Sequence, residues 1–185
     1  TGPAPAAVIH ARFGATNDGL LTAAHLEMYY EAGAFPGSSV GGGANCGFAP
    51  YRLENFRVDG YDVLVNKPKS QAYRAPGAPQ AAFAVESMID ELSADLGVDP
   101  VEFRLRNASA EGDIRPNGTR FNHVGNVDQM RAAQSSQHWQ APLARSAGRL
   151  VGRGVACGYW GNGGGTSSAV ARLNRDGSVT LLESS

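Results

Sequence analysis

Residues 72–107 read AYRAPGAPQAAFAVESMIDELSADLGVDPVEFRLRN, and this stretch decides the fold. Pro79 stands where the first turn of a helix leaves an N–H unpaired anyway, so its ring removes nothing. From there Phe83, Val85, Met88, Ile89, Leu92 and Leu96 recur at three- and four-residue steps. That spacing predicts a helix with one apolar stripe. Gly97 is the natural stop, because glycine accepts the left-handed conformation that ends helices. Asp99-Pro100-Val101-Glu102 starts a second helix, with a carboxylate cap, proline at the first position and glutamate at the third. Phe103 and Leu105 carry it to Asn107. Two helices in series make a central helical block.

Strand signals lie on either side. Residues 8–16, VIHARFGAT, are followed by Asn17-Asp18-Gly19 and then LLTAAHLEMYYEAGAF. The turn residues tolerate positive φ and predict a β-hairpin, although LTAAHLEMYYEA would pass for a helix on propensity alone. GGGANCG at 41–47 is expected to be loop, with a short strand in the following RLENFRVDG. YDVLVNKP is expected to be another strand, closed by Pro68. A third helix is predicted from Asn126 through Met130 to about Gln137. PLARSAGRLVGRG reads as a linker into a second hairpin, SSAVARLN and SVTLLES joined by Arg175-Asp176-Gly177. The class is α+β: hairpins and a mixed sheet packed with a central helical block, without internal repeats.

The 185 residues are 42% hydrophobic and 18% charged, with a net charge of −1, which suits a soluble globular chain. No basic excess points to nucleic acid or to an anionic membrane. No apolar run approaches the roughly 18 residues of a membrane span, and the first residues lack the basic region of a signal peptide. The chain lacks an initiator methionine and stops in mid-pattern, so it is expected to be a piece of something longer. Cys46 and Cys157 form no CxxC and stand near no metal-spaced histidines. Two buried thiols are favoured over a disulfide.

Arg74 sits among Ala75, Gly77 and Ala78, whose near-absent side chains let a ligand approach the backbone, while Pro76 and Pro79 stiffen the segment. A guanidinium is a fork suited to phosphate, and first-turn N–H groups of the following helix favour anions. These are parts of an anion or cofactor cradle. The plainer alternative is a connector with a surface arginine. GGGANCG lacks the GK[ST] ending of a phosphate-binding loop, and GNGGGT at 161–166 reads as plain loop. Glu86 and Asp90 share a helix face at i, i+4, where acid–base work is conceivable, but that face is expected to be solvated. The four histidines show no ligand spacing, no GxSxG nucleophile motif occurs, and the glycosylation sequon at Asn107 is read as chance. No catalytic residue and no protein metal ligand is assigned.

The block from AYRAPGAPQ to RLRN resembles the signature of the molybdenum hydroxylase large subunit, the family of xanthine dehydrogenase, aldehyde oxidoreductase and aerobic carbon monoxide dehydrogenase. The order of the other segments is also similar: ARFGATNDGLLTA, the AGAF segment, an EGD after RLRN, and a final GRGVACGYWG…DGSVTL hairpin. The resemblance covers nearly the whole chain. It implies part of a molybdopterin-binding domain, with residues 1–140 in a first subdomain and 141–185 forming a linker and the start of a second. It implies molybdenum–molybdopterin, in bacteria usually the cytosine dinucleotide form, and hydroxylation of an aldehyde or N-heterocycle with oxygen drawn from water. Iron–sulfur clusters and FAD on partner domains or subunits would take the electrons, in a cytoplasmic enzyme with a small-molecule substrate.

Residue by residue, the family's turn arginine falls on Arg74. Tyr73, Arg74, Ala75 and Gly77 are therefore expected to face the cofactor, and Pro76 the substrate channel. The carbon monoxide enzymes have a copper-binding cysteine in this loop; AYRAPG has none. Xanthine- and aldehyde-type members often have an aromatic residue where this chain has Pro76, so stacking from this loop is lost. The family's GGGFGGK-type loop, its GQG-type loop and its late catalytic glutamate have no counterpart in these residues. The chain is therefore expected to supply one wall of the site, with the remainder of the large subunit and the iron–sulfur and flavin subunits as partners, and to be inactive alone. Two other readings stay open: a non-catalytic scaffold or interface domain, and a nucleotide- or anion-binding module centred on 70–80.

Overall fold

The computed structural model describes residues 2–143, 148–161 and 165–184. Strands β1 (Ala7–Ala15) and β2 (Leu21–Gly33) form the first predicted hairpin, antiparallel, with Ala7 opposite Tyr30 and Phe13 opposite Ala24. Its turn closes through the Thr16 N–H to the Leu20 carbonyl at 2.8 Å. Turn chemistry prevailed over helix propensity because β2 alternates. Ala24, Leu26, Met28, Tyr30 and Ala32 are buried on one face, as a period of two requires.

Helix α1 (Val40–Cys46) then occupies GGGANCG, which the sequence predicted to be loop. The correction has a steric reason, because the bare glycines let this helix lie against the segment 76–77. A Cβ on Gly42 would stand 2.1 Å from the Pro76 carbonyl oxygen, and one on Gly43 would stand 2.7 Å from the Tyr30 hydroxyl. The two strands expected over 52–68 are one, β3 (Asn55–Leu64), which runs through Gly60 and pairs in parallel with β2. Parallel neighbours need a crossover connection, and α1 lies within it. The sheet order is β1-β2-β3, mixed as expected.

Helix α2 (Ala78–Asp95) covers the buried face of β2, and Val85 and Ile89 join Leu26, Met28 and Phe103 in one core. Its inward face is rotated from the predicted stripe. Phe83 is 78% exposed, while Ala78, Ala81, Glu86 and Ser93 turn inward beside Val85 and Ile89. Small residues at 78 and 81 let the helix approach α1 and the sheet closely, which an apolar-only count does not register. Gly97 ends the helix with φ +66°. Helix α3 (Pro100–Asn107) is capped as predicted, the Asp99 carboxylate accepting the Val101 N–H at 2.9 Å and the Glu102 N–H at 3.0 Å. Asn107, the sequon asparagine, is buried. It accepts the Leu21 N–H and donates to the Gly19 and Phe103 carbonyls, each at 2.8 Å, which ties α3 to the first hairpin.

The third predicted helix is α4 (Asn126–Ser135), followed by the short α5 (Gln137–Gln140). The last hairpin, β4 (Ser168–Leu173) and β5 (Val179–Ser184), is antiparallel with Ser168 opposite Ser184, and both strands are exposed throughout. Residues 144–147 of the expected linker and 162–164 of GNGGGT lie outside the described residues. No helix is long and apolar enough to cross a membrane among the described residues.

Candidate functional site

The segment 73–78 enters α2 through two left-handed residues. Gly77 has φ +84°, and Ala75, at φ +54°, is the one non-glycine with positive φ among the described residues. An L-residue in that region costs roughly 1–2 kcal/mol, so the surroundings must hold it there. Tyr30, fully buried, donates its hydroxyl to the Gly77 carbonyl at 2.8 Å. On the other side α1 leaves no room for a side chain, since a Cβ on Gly77 would stand 2.0 Å from the Ser39 carbonyl oxygen. The two glycine-bearing segments, GGGANCG and AYRAPG, are one interlocked unit.

The other side of this bend faces a concavity. Ala75, Ala78, Pro79 and Ala82 line a cavity of about 330 Å³, with Cys46, Gly47 and Pro50 beside them. Glu86, Cys157, Tyr159 and Trp160 complete its lining. Tyr73 is half-buried and donates its hydroxyl to the Gln80 side chain at 2.5 Å, while Gln80 reaches the Pro5 carbonyl at 3.1 Å. Arg74 is exposed and has no ion-pair partner among the described residues. Pro76 packs its carbonyl on Gly42. Of the five predicted residues, only Ala75 lines this cavity. The helix N-terminus offers an anion less than expected: the Ala78 N–H already donates to the Ala75 carbonyl at 3.1 Å, and Pro79 has none.

Glu86 is the main correction. The sequence placed it on a solvated face, yet it is 6% exposed and is the hub of a polar network. One carboxylate oxygen accepts the Tyr51 hydroxyl at 2.5 Å. The other accepts Arg104 at 2.8 Å and the Cys157 N–H at 2.8 Å. Arg104 is fully buried and also reaches Asp90 at 2.8 Å. A buried charge persists only when it is paired and hydrogen-bonded, and here α2, α3, Tyr51 and the segment at 157 satisfy one another. The signal was present in Glu86, Asp90 and Arg104, but it becomes legible only once α3 is packed on α2. Burial, with the Glu86 charge nearby, pushes the Cys157 thiol up to about 11, and burial raises Cys46 as well. Both thiols are free and buried, so neither has the character of an activated nucleophile.

The sequence profile of the molybdopterin cofactor-binding domain matches residues 1–108. The chain belongs to the molybdopterin cofactor-binding domain family. Among the relatives of this domain, the aldehyde oxidoreductase of Megalodesulfovibrio gigas is 33% identical over 184 residues, covering 94% of this chain and 20% of that protein. The xanthine dehydrogenase molybdenum-binding subunit of Escherichia coli O157:H7 is 33% identical over 186 residues, covering 94% and 25%. The crystal structure of the aldehyde oxidoreductase from Desulfovibrio desulfuricans superposes with a TM-score of 0.75 at 30% identity, over 97% of this chain and 21% of that one. The chain thus spans about a fifth to a quarter of the length of these relatives. The mixed helix-and-strand architecture is that of molybdopterin-binding neighbours.

The shape of the bend is compatible with such a cofactor lying beside it. The bend at 75–77 has no bulky side chain, its backbone is fixed from behind by Tyr30 and α1, and Arg74 supplies an uncommitted positive charge. No group of three or more His, Cys, Asp or Glu side chains able to hold a metal ion occurs among the described residues. What the bend itself offers is shape and backbone.

Proposed function

We propose that this domain forms one wall of the cofactor site of a molybdenum-dependent oxidoreductase that hydroxylates an aldehyde or N-heterocycle with oxygen drawn from water. The observation that carries the reading is the bend at 75–77, with two left-handed residues in three, pinned by Tyr30, and with Ala75 lining a cavity. Strain of this kind persists where the surrounding structure over-determines it, and it concentrates at functional sites. Tyr73, Arg74, Ala75 and Gly77 are the cofactor-facing residues. Ala75 gives the cofactor room, Gly77 makes the bend, Arg74 contributes charge, and Tyr73, fixed by Gln80, holds the approach to the bend. Pro76 borders the substrate channel and offers no ring for a substrate to stack on. When bound, molybdenum–molybdopterin, as the cytosine dinucleotide, supplies the redox chemistry.

In this reading residues 1–140 belong to a first subdomain, and 141–185 form a linker and the start of a second. The exposed faces of the last hairpin suit the second part, because an isolated two-stranded hairpin is marginal in water. The general base, the iron–sulfur clusters and FAD come from the rest of the large subunit and from partner domains or subunits. Isolated residues 1–185 are inactive, and the whole enzyme is cytoplasmic. The test is molybdenum content and dye-linked aldehyde oxidation, measured on the chain alone and on the longer polypeptide that carries it. Metal and turnover only in the longer polypeptide support the reading. Turnover by the isolated chain, or no molybdenum in the longer one, overturns it.

A further inference from the structure

A groove of about 800 Å³ runs along the free edge of the three-stranded sheet, between β1 and α2, and none of residues 73–77 lines it. In an antiparallel ladder, alternate residues of an edge strand turn their backbone N–H and C=O toward the partner, and those between turn them away. The Glu31 N–H bonds the Ala6 carbonyl at 2.9 Å, and Ala7 stands opposite Tyr30. Val8, His10 and Arg12 therefore bond β2, while Ala7, Ile9 and Ala11 turn their backbone groups into the groove they line. Those outward groups have no hydrogen-bond partner among the described residues. The helix side of the groove is apolar, formed by Phe83, Ala84 and Met88, and Phe83, left out of the core, is 78% exposed toward it. The strand side is cationic, because His10 and Arg12 reach it from the outer face of the sheet, both exposed. No Asp or Glu lines the groove, and Arg12 has no ion-pair partner among the described residues. Glu27, opposite His10 in the ladder, accepts the Tyr29 hydroxyl at 2.6 Å.

A strand laid on this edge would complete the free backbone hydrogen bonds, which is recognition by β-strand addition. Its side chains would alternate. One set would enter between β1 and α2, against Phe83, Ala84 and Met88, where only apolar groups suit. The other set would stand beside Val8, His10 and Arg12 on the outer face, where carboxylates match the two cations. A second copy of this edge, or a basic segment, would bring cations to cations. An open apolar edge is an aggregation hazard, and a segment of the same polypeptide covers it at high effective concentration. We propose that the edge of β1 takes one further strand from the remainder of the large subunit, with apolar side chains toward α2 and acidic side chains toward His10 and Arg12. This rests on the reading that a larger subunit carries the chain, and not on the bend at 75–77.

The test uses the longer polypeptide with p-benzoylphenylalanine in place of Phe83, irradiated and mapped by mass spectrometry. The cross-link should reach a segment of the same polypeptide in which apolar and acidic residues alternate. Hydrogen exchange gives a second readout: the Ala7, Ile9 and Ala11 amides should exchange at least about a hundredfold more slowly than in an unstructured chain, as paired amides do. Arg12→Glu should cut that protection about fivefold to tenfold, and Arg12→Lys should leave it within about twofold. Changing the cross-linked carboxylate residue to lysine should restore protection in the Arg12→Glu protein, with melting temperatures as the check on folding. A cross-link to a basic segment, to another polypeptide or to a second copy overturns the inference. So does the absence of a cross-link, exchange of these amides at unstructured rates, or protection unchanged by Arg12→Glu. Molybdenum content separates the two readings: unprotected amides at full molybdenum content remove the strand and keep the cofactor reading, and protected amides without molybdenum do the reverse.

Discussion

Gly77→Ala perturbs the bend at its tightest point. Two costs follow from the geometry. The residue has φ +84°, where an L-side chain costs roughly 1–2 kcal/mol. The added methyl would also stand 2.0 Å from the Ser39 carbonyl oxygen and 2.9 Å from the Gly43 N, both backbone atoms of the α1 region that no rotamer change can remove. Separating α1 from the bend is an overpacking cost of about 1–3 kcal/mol. Together they predict a loss of about 2–5 kcal/mol, a large share of the roughly 5–15 kcal/mol that stabilises a typical domain. For a chain of this size each kcal/mol lowers Tm by about 2–4 °C, so the midpoint should fall by at least about 4 °C. Ala75→Gly is the control: it relieves the strain at φ +54° while loosening the unfolded chain, and the two effects nearly cancel. Paired urea and thermal denaturation measure both. A Gly77→Ala protein melting within 1 °C of the parent would refute the interlocking of α1 with the bend.

Further outcomes follow from the same packing. Glu86→Gln should cost about 3–5 kcal/mol in urea titration, because it leaves a fully buried Arg104 with only Asp90 as a charged partner. Asp99→Ala removes the acceptor for two N–H groups at the start of α3 and should cost about 1 kcal/mol in the same assay. Asp62 accepts the Gly37 and Ser38 N–H groups, and those hydrogen bonds hold its carboxyl below its usual 3.8. A lowered folded value means that the stabilisation is present above about pH 4 and is lost as pH falls through the lowered value. Asp62→Asn should therefore flatten the fall in urea midpoint below pH 4. The Cys157 thiol, raised to about 11, should react with a disulfide reagent at pH 8 about a hundredfold or more slowly than a free cysteine, until the chain is unfolded in urea.

Local rules were enough for much of the fold. The Asn-Asp-Gly turn, the Asp99-Pro100 cap and the Gly97 stop each act within a few residues, and each stands where the sequence placed it. What escaped depends on pairs distant in the chain. GGGANCG became a helix because its bare face meets Pro76 and Gly77 some 30 residues later, and no local propensity encodes that contact. Glu86 looked solvated because its partners Tyr51, Arg104 and Cys157 come from three other segments. At the site, the sequence identified the bend at 75–77 but not the rest of the cavity lining. Tyr159 and Trp160 reach the cavity through the Cys157 N–H bond to Glu86, and that bond exists only in the packed chain.

The central claim, that the bend at 75–77 lies alongside the cofactor, is tested most directly by molybdenum stoichiometry in an Ala75→Leu protein. Leucine carries the same positive-φ strain as alanine, so the bend is kept, and its three extra carbons enter the space in front of it. In the longer polypeptide, expressed in a host that makes the cofactor, elemental analysis should give about one molybdenum per parent protein. The account predicts less than about a tenth of that for Ala75→Leu, at an unchanged melting temperature for the protein freed of cofactor. Full molybdenum content in a folded Ala75→Leu protein would contradict it.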